Sequence, residues 1–211
     1  MRCSCFLSLL LAVLATACVP LKPPGLVRDK SLTTFRHPAP LFFDSSGRSL
    51  LFKATMDIKK HHLTGLLLIK PMGLHACRVV FASEIGITYF DLGISADSSR
   101  VISCFGPLNK KILTTIFISD FRILAGVDTL TTCKLYHQET TQHLVYSGRA
   151  GKFKIWQTCS NKGDTLLSQS AKSTLLDPVI ISCQHYHQGF PAIIHLDNPV
   201  IGMTLSLKRL D

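Results

Sequence analysis

The chain is poor in the side chains that catalysis most often needs. Acidic residues number 13 among 211 and stand mostly alone, so no carboxylate pair is placed to share acid and base roles. There is no HExxH zinc motif, no Gly-x-Ser-x-Gly nucleophile turn and no Ser-x-x-Lys, because Ser168-Gln169-Ser170-Ala171-Lys172 carries the wrong spacing. No glycine-rich loop is present to cradle a phosphate. Cysteines never occur as CxxC, which argues against a zinc knuckle or a thioredoxin-like centre. His185 and His187 would share one face of a strand, yet no third ligand stands at a suitable spacing, and His61-His62 reads as a polar turn. Behind the first twenty residues no run is long and apolar enough to cross a bilayer. These absences point away from an enzyme, a metal site and a bound cofactor.

What is present begins at the N-terminus. Met1-Arg2 supplies a thin positive start, Cys5 to Leu14 an apolar stretch, and Ala15-Thr16-Ala17 a small-residue cleavage site before Cys18. This resembles the layout of a bacterial lipoprotein signal, with residues 1–17 removed and Cys18 acylated, but Ala15 stands where such signals prefer leucine, and a plain secretory signal cut near Ala17 or a retained N-terminal helix are the alternatives. Each buried CH₂ then contributes about 0.8 kcal/mol to anchoring, so several chains, palmitate among them, make the attachment effectively permanent. Residues 18–48 start Cys-Val-Pro-Leu-Lys-Pro-Pro-Gly and hold Pro38 and Pro40, as expected of a tether that then runs along the domain edge. Residues 49–211 form one domain. Val19 follows the lipidated cysteine where an aspartate would favour retention in the inner membrane, so the outer membrane is the expected location.

The formal charge of +10 becomes +9 once Arg2 leaves with the signal. The basic residues are scattered, with Lys59-Lys60 and Lys110-Lys111 as small clusters, so no stripe for nucleic acid is visible. An envelope polyanion or anionic head groups suit such a surface better, and a merely basic, solvated surface accounts for it equally well. Five cysteines remain beyond Cys18: Cys77, Cys104, Cys133, Cys159 and Cys183. Cys77, Cys104 and Cys183 lie in strand-like apolar runs and read as buried and inert.

From Ser49 onward the chain reads as consecutive strands at Leu50–Ile58, Leu63–Lys70, Leu74–Ser83, Ile87–Ile94 and Val101–Phe105, separated by short turns. Phe52, Ala54, Met56 and Ile58 alternate with Lys53, Thr55, Asp57 and Lys59. Pro107 to Ala125 changes period, with Leu108, Ile112, Ile116, Phe117, Phe121 and Leu124 near helical spacing and Gly126 as a stop. The type of Leu130–Tyr136 is ambiguous. Strands return at Gln142–Tyr146, Lys152–Thr158, Val179–Tyr186, Ala192–Leu196 and Ile201–Leu207. The fold class is therefore α+β and mainly β, a curved antiparallel sheet of roughly ten strands with one or two covering helices. A concave sheet under a helix encloses apolar space readily, although a filled core has the same pattern.

This order, together with Leu63-Thr64-Gly65-Leu66-Leu67-Leu68-Ile69-Lys70 and the run from Cys77 through Ser83-Glu84-Ile85-Gly86-Ile87 to Leu92, resembles the LolB outer-membrane lipoprotein receptors and their LolA-like relatives. More closely, it looks like the uncharacterised lipoproteins of Bacteroidetes type with that architecture. The motifs span residues 49–125, and strand order extends the likeness to the C-terminus. The resemblance implies an incomplete barrel with a helical lid, whose apolar cavity accepts the acyl chains of lipoproteins. Phe52, Leu66, Leu68, Val80, Phe90, Phe117 and Phe121 are the expected cavity residues. The family's protruding apolar loop residue matches Ile85 before Gly86, with Met72 and Leu74 able to touch a membrane in the same way.

Three functions compete. The first is an anchored lipoprotein on the periplasmic face of the outer membrane that binds acyl chains or lipoproteins non-covalently, with a periplasmic carrier as partner. The second is a scaffold lipoprotein with a filled core and an exposed edge for another protein. An envelope hydrolase or metalloprotein ranks third.

Overall fold

A computed structural model describes residues 22–29, 47–73, 75–128, 130–173, 178–187 and 189–210. Among the described residues, thirteen strands lie in one antiparallel sheet: β1 (Leu26–Arg28), β2 (Leu50–Ile58), β3 (His61–Pro71), β4 (Ala76–Ala82), β5 (Thr88–Ser95), β6 (Ser99–Cys104), β7 (Thr131–Gln138), β8 (Leu144–Ala150), β9 (Phe153–Cys159), β10 (Leu166–Lys172), β11 (Val179–His187), β12 (Phe190–Asn198) and β13 (Met203–Leu210). The chain makes two meanders, β2 to β6 and β7 to β13. Pairing of β13 with β2, in register from Met203↔Ile58 to Leu210↔Leu51, welds them into a single sheet. β1, inside the tether expected over 18–48, lies beside β7 as an edge strand.

The fold is thus mainly β, one open curved antiparallel sheet with a covering helix. The strand count exceeds the ten expected. β1 is too short to show a period, and β10 (Leu-Leu-Ser-Gln-Ser-Ala-Lys) is too polar to stand out as one. His61-His62 opens β3 and pairs with Ile58 and Asp57 rather than forming a turn. The expected helix from Pro107 divides into a 3₁₀ turn at Gly106–Leu108 and an α-helix, α1, at Lys111–Ala125. Lys110 between them is extended, at φ −109° and ψ 132°.

Strand twist accumulates over many strands, so an open sheet of this width must coil. Register shifts between Phe81 and Ala82, Asp91 and Leu92, Thr131 and Lys134, and Leu166 and Ser168 add local bends. The concave face carries the core. Phe52 opposes Leu67, Leu67 opposes Phe81 and Phe81 opposes Phe90, which makes one apolar row across four strands. A second row runs from Leu135 through Tyr146, Gln157, Gln169, Ile181, Leu196 and Leu205 to Met56.

Candidate functional site: the cleft beneath the helix

Pro107, whose missing N–H suits a helical first turn, sits in the 3₁₀ turn, while α1 begins at Lys111 and ends at Gly126 in the left-handed region, φ 64° and ψ 36°. There the Gly126 and Val127 amides close on the carbonyls of Ile123 and Arg122, at 3.2 and 3.1 Å. Its apolar face is driven into the concave sheet. Phe90 meets both Phe117 and Phe121 with ring centroids 5.4 Å apart and Phe81 at 5.6 Å.

Phe52, Phe90, Phe117 and Phe121 are therefore buried on the concave side. The expected cavity set does not come together: none of its seven members lines the open spaces along α1, because Phe90, Phe117 and Phe121 pack ring against ring, Phe52 is fully buried, and the other three face the wrong way. Leu66, Leu68 and Val80 point to the opposite face of the sheet, Leu66 being 37% exposed, while Leu67, Ile69, Val79 and Phe81 point inward. Strand side chains alternate, so a continuous apolar run hides which parity faces the core. Ile85 is 84% exposed on the β4–β5 turn. Met72 is exposed as well, but on the β3–β4 turn at the other end of β4, so the two cannot meet one flat membrane together. Leu74 and Cys18 lie outside the described residues.

Open space lies along another flank of α1. A cavity of about 80 Å³ is lined by Ile116, Phe153, Ala171, Val179 and Val200, with Thr115, Ser119, Asp120, Lys152, Ser173 and Asn198 as polar members. A wider groove of about 330 Å³ shares Thr115, Ser119, Lys152 and Phe153 with it and reaches Ile118, Arg122 and Asp128. The cavity thus sets five apolar residues against six polar ones, and the groove is lined mainly by polar and charged side chains, Arg122, Asp128 and Lys152 among them. None of the polar members was evident from sequence. The available signal was Asp120 itself, the one carboxylate of α1, set between Ile116-Phe117 and Phe121.

Polar contacts from several strands and turns hold the C-terminal half of α1 and the residues just after it. Arg122 donates from Nε and Nη2 to Asp128 at 2.8 and 2.6 Å, from Nη1 to the Ser95 carbonyl at 2.7 Å and from Nη2 to the Ala96 carbonyl at 2.5 Å. The hydrogen bond with Asp128 raises the guanidinium pKa further. Gln157 donates to Gln169 at 2.8 Å, and Gln169 to the Ile123 carbonyl at 3.3 Å. His75 Nδ1 donates to the Val127 carbonyl at 3.0 Å. Asn198 Nδ2 donates to Asp120 Oδ2 at 2.8 Å. At the other end Lys110, Lys111 and Ile112 are exposed. Arg122→Ala is expected to cost ~3 kcal/mol in urea unfolding, because Asp128 and two carbonyls lose their donor at a largely buried site. Arg122→Lys should recover only part of it, since an ammonium cannot span the same fork.

The thiols of Cys77, Cys159 and Cys183 are buried, which pushes each up to about 12 and leaves them poor nucleophiles. His185 and His187 are exposed on β11. His185 sits in the left-handed region at φ 53°, which breaks the strict alternation assumed for the pair. No group of three or more His, Cys, Asp or Glu converges on a metal position among the described residues.

No protein-family model matches the chain, and no curated protein matches it. Among solved structures it is similar to a LolA superfamily protein from Nitrosomonas europaea, at 10% identity over 77% of this chain and 83% of that one, with a TM-score of 0.44. It is also similar to a DUF1329 family protein from Desulfovibrio piger, at 11% identity over 79% and 85% of the two chains, with a TM-score of 0.41.

Proposed function

We propose that this protein is a lipid-anchored envelope protein that binds an acyl chain, free or carried by a lipoprotein, in the cleft beneath α1. The observation that carries the reading is the cleft itself. Ile116, Phe153, Ala171, Val179 and Val200 make an apolar wall that adjoins a groove of about 330 Å³, with Lys152 shared by both. Acylation of Cys18 would hold the domain at the outer membrane, and a carrier would deliver the cargo. The test is native mass spectrometry with lipid extraction on the Cys18→Ala chain produced in a bacterial envelope. An acylated species bound near one-to-one is expected, and consistently empty protein would overturn the reading.

Contact with the membrane belongs to the same proposal. Ile85 shares its end of the sheet with exposed Ile87 and Phe105, and the Tyr89 and Phe105 rings lie 6.4 Å apart there. Ile85→Glu in the Cys18→Ala chain should weaken sedimentation with anionic vesicles about tenfold, since burying one isoleucine contributes ~1.5–3 kcal/mol. Met72→Glu, at the far end of β4, should leave it unchanged.

A scaffold role draws support from β6, an edge strand that exposes Val101 and Ile102. Such an edge can accept a partner strand. A stable protein co-purifying with the wild type and lost on Val101→Lys would favour that role.

A further inference from the structure

Asp120 is 1% exposed, and its carboxyl is only half satisfied. Asn198 holds Oδ2, whereas Oδ1 receives no hydrogen bond among the described residues, and no cation pairs with it there. Oδ1 is not sealed off in the core. The side-chain atoms buried without a partner are Trp156 Nε1 and Gln157 Oε1, while Asp120 lines the cleft. One carboxyl oxygen is thus left to meet whatever enters.

The chemistry of that oxygen discriminates among ligands. A plain hydrocarbon end would leave an acceptor facing an apolar group. An ester would set acceptor against acceptor. A free carboxylate would bring a second negative charge into a site of low dielectric. A hydroxyl or an amide N–H satisfies Oδ1 directly, and a hydrogen bond to a charged acceptor is among the stronger kinds.

We propose that the cleft selects amphiphiles whose apolar body carries an uncharged hydrogen-bond donor, a hydroxyl or amide N–H set against Asp120 Oδ1, and discriminates against free fatty carboxylates. This rests on the acyl-binding reading above and names the kind of head group it takes.

The groups facing Asp120 are few. Asn198 comes from the end of β12, Lys152 from the β8–β9 turn, and Thr115 and Ser119 from α1. Ser173 follows β10, while Val179 of β11 and Val200 add no charge. Farther along the groove, Arg122 and Asp128 are paired with each other. Burial pushes the Asp120 carboxyl up to about 7, opposed by the Asn198 hydrogen bond. Above that pH it is an acceptor alone. Below it the acid proton can be donated, and the bias against carboxylate ligands fades.

The experiment is titration calorimetry on the Cys18→Ala chain with 1-octanol, octanoate and methyl octanoate at pH 8.5 and 5.5. At pH 8.5 1-octanol should bind about tenfold more tightly than either competitor, the equilibrium worth of one good hydrogen bond. At pH 5.5 the gap to octanoate should close, and Asp120→Leu should erase the preference at both values. Equal affinities at pH 8.5, or a preference that survives Asp120→Leu, would overturn the inference and leave acyl binding standing. Failure of all three probes would overturn the acyl reading and this inference with it. If Asp120→Leu does not fold, the pH comparison on the parent chain decides.

Discussion

Gly65→Ala should destabilise the protein by about 3 kcal/mol or more, enough to leave much of it unfolded. A Cβ at Gly65 would stand 2.0 Å from the Ala82 carbonyl oxygen and 2.8 Å from both the Ala82 carbonyl carbon and Ser83 Cα. All three neighbours are backbone, so no side chain can swing aside. The site coincides with the register shift between Phe81 and Ala82, where β4 bends against β5 while β3 lies on its other side. Relief would require β3 and β4 to separate, which would pull Leu67 away from Phe81 in the row beneath the helix. Gly106→Ala is the matched control. A Cβ there meets nothing within 4 Å and the backbone needs no positive φ, so urea unfolding should change little.

Asp120→Asn should raise stability at pH 8 while leaving it nearly unaltered at pH 4. Burial holds the folded-state carboxyl at about 7 against an ordinary value of 3.8. Between those values the folded protein keeps a proton that the unfolded chain has released, so stability falls as pH rises through this window. Below 3.8 both states are protonated and no penalty remains. The full shift corresponds to ~4 kcal/mol at pH 8, as an order of magnitude. Asparagine keeps the shape and can still accept from Asn198, yet it never ionises. Urea midpoints measured from pH 4 to 8 should therefore slope downward in the parent and flatten in Asp120→Asn. Parallel slopes in the two proteins would show that Asp120 ionises freely in the fold.

The two predictions differ in how legible their residues were. β2 could be read directly, because Phe52, Ala54, Met56 and Ile58 alternate with polar neighbours and the structure buries that set. In β3 and β4 the same logic stalls on Leu66-Leu67-Leu68-Ile69 and Val79-Val80, where both parities are apolar and burial alone selects one. β10 went unseen since its inward Gln169 is polar, and it is buried by accepting from Gln157 and donating to the Ile123 carbonyl. A buried polar residue carries no hydrophobic signal until its partners are placed. Gly65 is visible as a glycine in an apolar run, but its need for a bare Cα depends on how closely β4 approaches.

Sequence alone was sufficient for the class of the fold, a long helix ending at Gly126 and the buried face of β2, made by Phe52, Ala54, Met56 and Ile58. Those features follow from local period and turn chemistry, which a short window contains. Tertiary structure alone decided the closure of two meanders through β13 and β2 and the inward parity of β3 and β4. It also decided the cleft, whose lining comes from α1, the β8–β9 turn, β10, β11 and the β12–β13 turn. Residues 115 and 200 share that wall across 85 positions of chain, and no local pattern encodes such a meeting, because it arises when a wide sheet coils far enough to bring distant strands under one helix.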